Sequence, residues 1–267
     1  KLEAREAFER IMSGDTSLKP LIKMDKDELI ESILIEMDVS TDDIVYDSIV
    51  FAEEMHANQI RKARAHDRVN PPYIEHPLRN ALRLIRLGVT DHRVIKATLL
   101  HDTVEDSSSE FVNAYLNASL TQEESENELL SHIDVRFGSY VSHLVRQVTN
   151  PASPPSVQLS RERKNAIYLE HVSEAIYADS DTFLVKYSDF VDNAGSLIHS
   201  SDDFMPIAVR QAKKYLPVVK SFRKAHELHG DKLDEKRLNR EKISSMLNKI
   251  EKDLNTILKT EGEELNN

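Results

Sequence analysis

The 267-residue sequence contains no cysteine and no tryptophan. Without thiols there is no disulfide scaffold and no thiolate metal site, so a bound ion would have to be held by His, Asp or Glu. Glycines number six and aromatic residues make up 6%, which is poor material for sheets and favours helices. No apolar run approaches the roughly 20 residues that cross a bilayer, and no charged-then-apolar leader opens the chain. A soluble protein without membrane contact is expected, and the lack of cysteine is compatible with a reducing cytoplasm. Positive charge is also scarce. The 35 Lys and Arg stand against 46 Asp and Glu, leaving a net charge of −11, whose field opposes broad binding to nucleic acid or anionic lipid. An anionic ligand would need its own basic pocket.

What is present is amphipathic. Hydrophobic residues make up 40% of the chain, enough for one helical domain with appendages. Apolar residues at three-to-four spacing predict short helices over 2–12 and 25–37. Thr41 or Asp42 can cap a longer helix to about residue 63, and a helix from about Pro77 is ended by Gly88. Thr90 or Asp91 caps a helix that carries Val94, Ile95, Ala97, Thr98 and His101 and ends near Asp106, before the serines 107–109. Further helices are expected at 122–133, 135–148, 161–178, 182–199 and 204–227, with a proline-rich loop at 150–160. The interleaved charges of a tail helix at 232–259 read as a solvated face, with self-association into a homo-oligomer as the alternative.

His-Asp dipeptides occur twice. With 11 histidines, chance alone supplies about one such pair in a chain of this length. His66-Asp67 lies in the polar loop ARAHDRVNPP with no apolar frame and reads as solvent-exposed. His101 follows Val94 by seven residues on an apolar stripe, which carries an imidazole and the adjoining Asp102 inward together. On that helix alone, a metal ligand and a core histidine bonded to backbone are equally good readings. Glu105 lies four residues beyond His101, and Asp106 four beyond Asp102, so each pair shares a helical face. Three carboxylates beside one imidazole repel unless a cation or ordered water compensates. His76 and Asp189 could complete such a site. Asp189 lies in LVKYSDFVDNAG, where a ligand and a carboxylate facing solvent with Asp192 stand level. Arg79, Arg83 and Arg86 share one helical side, which reads as a solvated face rather than an anion patch.

Five segments occur in an order that resembles a known family: HANQIRK at 56–62, YIEHP at 73–77, LLHDTVED at 99–106, FGSYVSHLVRQVT at 137–149 and LVKYSDFVDNAGSL at 184–197. Over roughly residues 45–220 they are similar to the metal-dependent HD hydrolase domain of the RelA/SpoT alarmone enzymes and of their small stand-alone relatives. The resemblance implies an all-α HD-domain helical bundle, expected over residues 41–227; the amphipathic segments at 1–40 then read as an N-terminal helical appendage and residues 228–267 as a charged C-terminal helix. It implies that His76, His101, Asp102 and Asp189 bind one divalent ion, usually Mn2+, and that Glu105 and Asp106 order and deprotonate the attacking water. Arg61, Lys62 and Asn193 would contact the nucleotide, with Arg163 and Lys164 as further basic contacts. The implied reaction is hydrolysis of the 3′-pyrophosphate of the small-molecule substrate (p)ppGpp in the cytoplasm. Alternatives are another nucleotide, ppApp or NADPH, or a non-catalytic alarmone sensor.

Three departures from the family stand out. Ten residues, Ala63 to Pro72, separate RK from YI where a short link is usual; Asn58 stands where glycine is common; and SDFVDN puts Phe190 where the family has a basic residue and Asp192 where it has a histidine. Phosphate contacts around 190–192 should therefore differ. No segment after residue 220 is patterned like the synthetase domain of bifunctional members, which points to a hydrolase-only protein.

Overall fold

In a computed structural model of the chain, residues 20–40, 43–61, 71–150 and 159–264 are described, and they form twelve α-helices. Capping decides where most of them begin. Asp25 opens α1 (Lys26–Met37) with a capping box, its carboxylate accepting from the Glu28 amide at 3.0 Å while Glu28 accepts from the Asp25 amide at 2.9 Å. Asp43 caps α2 (Ile44–Met55); Thr41 and Asp42 lie outside the described residues, as do the expected helix at 2–12, the His66-Asp67 pair and most of the 150–160 loop. Asp91 caps α4 (His92–Leu100) as expected, and Thr121, Ser160 and Asp179 cap α6 (Gln122–Phe137), α8 (Arg161–Ala178) and α9 (Ser180–Gly195).

Two helices are shorter than their periodicity suggests. α2 stops at Met55 rather than near 63 because the chain turns to pair with 71–73: Arg61 N donates to Pro71 O and Tyr73 N to Gln59 O. The helix expected to run from Asp91 to Asp106 is broken at His101-Asp102. There His101 Nδ1 donates to Thr98 O at 2.8 Å and Thr103 Oγ1 to Leu100 O at 2.7 Å, so side chains occupy carbonyls that a continuing turn would use. The chain resumes as α5 (Thr103–Phe111), and serines 107–109 lie inside that helix instead of ending it.

At the centre runs α9, packed against α3 (Glu75–Ile85), α4, α7 (Ser139–Val148), α8, α10 (Met205–Leu228) and α12 (Arg240–Glu264). α1 lies on α3, burying Leu29 and Ile33, and the Arg86 guanidinium reaches its Glu36 at 2.7 Å. The tail differs from expectation in two ways. It breaks near Arg237, which takes φ +57°, into α11 (Gly230–Glu235) and α12. And α12 is not solvated all round: Ile243, Leu247, Ile250, Leu254 and Ile257 recur every three to four residues and are buried, most of its contacts running along α10. Between the tail helices, Asn239 N donates to Leu87 O at 3.1 Å, and Leu238 lies over Gly88, whose φ of +105° suits glycine. No described helix is long and apolar enough to cross a membrane.

Candidate metal centre

The break after α4 has a consequence for chemistry, because it lets both His101 and Asp102 turn toward the first turn of α3 and the middle of α9. His76, His101 and Asp189 are buried, and each offers a donor atom within 4.8 Å of the other two. His76 Nε2 lies 3.2 Å from Asp189 Oδ1 and 3.4 Å from Asp102 Oδ2; His101 Nε2 lies 3.6 Å and 3.2 Å from the same two atoms. The four residues named from sequence therefore converge from two helices, α3 and α9, and the joint between α4 and α5. The surface alternative for Asp189 and Asp192 is overturned, since both are 7% exposed.

Each imidazole is held by its Nδ1. His101 Nδ1 must carry the proton, because its partner, the Thr98 carbonyl, can only accept. His76 Nδ1 lies 2.7 Å from Asp192 Oδ2, another pure acceptor when ionised. Both Nε2 atoms are thus turned to the centre, and His101 Nε2 is buried with no hydrogen bond. Nitrogen and carboxylate lone pairs face one another there across either a proton or a cation. Burial opposes a charged His101, but the Asp102 and Asp189 carboxylates outweigh it and raise its pKa to about 10. Burial likewise opposes an ionised Asp189, yet Lys186, whose Nζ is 3.5 Å away, and the imidazoles hold it well below the usual carboxylate range.

Around this centre lie the other candidates. Tyr73 donates its hydroxyl to Asp102 Oδ2 at 2.7 Å. Asp106 is solvent-exposed at its surface, yet desolvation by the surrounding protein, with the charges of Asp102 and Glu105, lifts its carboxyl to about 6. The Glu105 carboxylate is exposed and accepts from the Asn150 side chain at 2.8 Å. Asn193 donates to Asp189 Oδ1 at 2.5 Å and accepts from Arg61 Nη2 at 2.7 Å, which ties Arg61 to the centre. Arg163 and Lys164 are exposed on the first turn of α8, and the described residues do not link them to the cluster; Lys62 lies outside the described residues. Tyr73, Lys186 and the half-buried Tyr168 were not singled out from sequence. The signals were their places beside known positions: Tyr73 opens YIEHP, Lys186 precedes Asp189 by three, and Tyr168 follows Lys164 by one helical turn. Burial pushes the Tyr168 hydroxyl well up, with Tyr215 and the charges of Asp189, Glu105 and Asp102 acting in the same direction.

The arginines of α3 require a correction. Arg79, Arg83 and Arg86 do not form a solvated face. Arg79 donates from Nε and Nη2 to Asp192 at 2.9 and 3.0 Å, Arg83 Nη2 donates to Asp192 at 3.1 Å, and Arg86 pairs with Glu36. α9 and α1 cover that side of α3, and each guanidinium finds a carboxylate or carbonyl inside.

Similarity to known proteins follows the same geography. The guanosine-3′,5′-bis(diphosphate) 3′-pyrophosphohydrolase MESH1 of Danio rerio is 33% identical over 138 residues, 51% of this chain and 63% of that protein. MESH1 of Xenopus tropicalis is 29% identical over 196 residues, covering 72% of this chain and 91% of its own. A guanosine-3′,5′-bis(diphosphate) 3′-pyrophosphohydrolase of Aquifex aeolicus (strain VF5) is 32% identical over 173 residues. The chain thus spans less than two thirds of the Danio protein and only 20% of the Aquifex one. A solved structure of a metazoan ortholog of SpoT that hydrolyzes ppGpp superposes with a TM-score of 0.52 at 21% identity, over 82% of this chain and 96% of that one, which establishes the shared fold. Residues 48–214 match the HD domain, and that stretch holds both imidazoles, all the converging carboxylates and the His-Asp pair itself. With more than half of its length matched and the His-Asp pair at the centre of the cluster, the chain belongs to the HD domain family.

Proposed function

We propose that the protein is a metal-dependent pyrophosphohydrolase that removes the 3′-pyrophosphate of (p)ppGpp, giving GDP or GTP and pyrophosphate and lowering alarmone levels in the stringent response. The observation that carries this reading is the convergence of two imidazole Nε2 atoms and two carboxylates, in a chain similar to named pyrophosphohydrolases of that substrate. His76, His101, Asp102 and Asp189 would hold the ion. Their fit rests on the buried, unbonded Nε2 of His101 and on a purely nitrogen and oxygen donor set, which suits Mn2+ on ligand-type grounds. A divalent ion supplies positive charge that lowers the pKa of an attacking water and polarises a phosphate oxygen.

The chain's own residues do the rest. Asp106, lifted to about 6, is matched to accepting a proton near neutral pH, and Glu105 stands beside it to order or relay. Tyr73 steadies Asp102 through its hydroxyl. Arg61, with Lys62, Arg163 and Lys164, would neutralise substrate phosphates locally in an otherwise acidic protein, and Asn193 would contact the substrate beside the cluster. Residues 41–227 form the hydrolase domain in this reading, flanked by appended helices, and the protein acts in the cytoplasm. The test is a hydrolysis panel of ppGpp, pppGpp, ppApp, NADPH and cyclic dinucleotides with Mn2+, products separated by chromatography. The expected result is cleavage of ppGpp with release of intact pyrophosphate. Orthophosphate without pyrophosphate, in a preparation free of pyrophosphatase, would sink it, as would turnover of NADPH or ppApp alone.

A further inference from the structure

Asp192 stands where related sequences carry histidine, and its surroundings show what the carboxylate does here. It is 7% exposed and receives hydrogen bonds on both oxygens. Oδ2 lies 2.7 Å from His76 Nδ1 and 3.0 Å from Arg79 Nη2; Oδ1 lies 2.9 Å from Arg79 Nε and 3.1 Å from Arg83 Nη2. Arg61 Nη2 is a third guanidinium contact, 3.3 Å from Oδ2. A carboxylate inside three guanidinium groups stays ionised, and an ionised carboxylate offers no proton of its own. The hydrogen on the His76–Asp192 contact must therefore sit on Nδ1, which leaves Nε2 an unprotonated acceptor that faces Asp102 and Asp189 at 3.4 and 3.2 Å and has the Asn80 amide nitrogen at 3.4 Å.

We propose that Asp192 is a positioning residue for the metal site: by accepting the Nδ1 proton it fixes the tautomer and plane of His76, and by gathering Arg79 and Arg83 it keeps their charges away from the ion. The proposal rests on the reading of the cluster as a metal centre. Asp192 does not touch the ion or the substrate and acts through His76. Among the candidate ligands, His76 and His101 then differ in kind. A neutral backbone carbonyl orients His101, whereas a carboxylate orients His76, making its Nε2 the more electron-rich of the two. The contact of Arg61 to the same carboxylate also gives the nucleotide side of the site a direct link to a metal ligand.

The test uses the full chain with Asp192→Asn, which keeps an acceptor of the same shape and removes the charge. A second variant, Asp192→Asn with Arg83→Met, removes one buried cation as well and covers the case in which the single change does not fold. Mn2+ alone is the probe, its dissociation constant measured by chelator competition, and the histidine tautomers of the metal-free protein are read by 15N NMR. Affinity for Mn2+ is expected to fall by about 10- to 100-fold, the usual effect of losing an outer-shell partner, while His76 passes from one tautomer to a mixture. At saturating Mn2+, kcat should largely recover with little change in KM. Wild-type Mn2+ affinity together with an unchanged tautomer in a folded variant overturns the proposal, even if its melting temperature drops. A raised KM at saturating Mn2+ combined with wild-type Mn2+ affinity also overturns it, by moving Asp192 to the substrate side. A wild-type protein that binds no Mn2+ overturns the metal reading and this proposal together, so the two failures are told apart.

Discussion

Helices α9 and α12 lie against each other and treat charge in opposite ways. In α12, apolar residues at three-to-four spacing face inward, while pairs such as Lys249–Asp253 sit on the outer side. In α9 every residue from Ser180 to Asp192 is buried, charged ones included. Each of those charges has a partner fixed in space: Asp181 has Lys236 at 2.6 Å and the Tyr140 hydroxyl at 2.9 Å, Lys186 has Asp189, and Asp192 has the arginines. Burying charge without compensation costs far more than a helix contributes. α9 is therefore tolerated at the centre only because the rest of the fold is arranged around its polar groups. α12 needs nothing beyond an apolar stripe.

The sharpest way to break this contrast is Asp189→Ala. It removes a first donor of the cluster and the carboxylate beside Lys186, so bound metal and turnover should vanish together in a folded protein, as metal analysis and steady-state kinetics can show. Stoichiometric metal with near-normal turnover would mean that α9 is not the scaffold of the site. Next in size is Glu105→Gln, expected to keep its metal and lose about a hundred- to ten-thousandfold in kcat, the usual cost of removing a group that takes part in general acid–base transfer, here by ordering the attacking water and relaying its proton to Asp106. A drop in metal content of similar depth would instead make Glu105 a ligand. For α12, Leu247→Ala, fully buried, should cost about 2–5 kcal/mol of stability in denaturant titration, with kcat of the folded fraction unchanged. A kcat effect there would erase the distinction between the two helices.

A smaller effect concerns pH. A base must be unprotonated to accept a proton, and Asp106 is raised to about 6 by partial desolvation and by the charges of Asp102 and Glu105. Turnover should thus fall as pH drops through that region. A nearby cation favours the carboxylate, so it moves this limb below 6 and not above, and an acid limb near pH 8 in kcat/KM would rule Asp106 out as its source. Smallest of all, Lys249→Ala removes an exposed i,i+4 pair on α12 and should change stability by no more than about 0.5 kcal/mol. A loss of several times that amount would show that the outer side of α12 is not an ordinary solvated surface.

Much of the cluster was legible in the sequence because its members sit in short ordered segments, and a segment carries its neighbours with it: YIEHP delivers His76, HDTVED delivers His101 and Asp102, and KYSDF delivers Asp189. Helix positions were legible wherever a polar face alternates with an apolar one, as in α1, α8 and α10. Where burial is complete, periodicity has nothing to report. Asp192 and the guanidiniums of Arg79 and Arg83 read as surface residues because charge usually means solvent, and only the packing of α3 on α9 reveals that they neutralise one another. The break at His101-Asp102 was hidden for a different reason, since it is made by the hydroxyl of Thr103 and the imidazole of His101 competing for carbonyls, a choice invisible in an apolar stripe.

The glycine turn at residue 88 is held from the far end of the chain. It joins the helix that bears His76 to the helix that leads into His101, and residues 237–239 are laid across it: Leu238 packs on Gly88, and the Asn239 amide is tied to the Leu87 carbonyl. The angle between the two histidine-bearing helices is thus fastened by a buckle supplied from beyond the matched domain. A chain shortened at residue 228 would retain every candidate ligand and still leave that buckle undone, so amides near Gly88 should exchange faster and Mn2+ should bind less tightly. The accuracy of the centre would then be set partly by residues that never come near it.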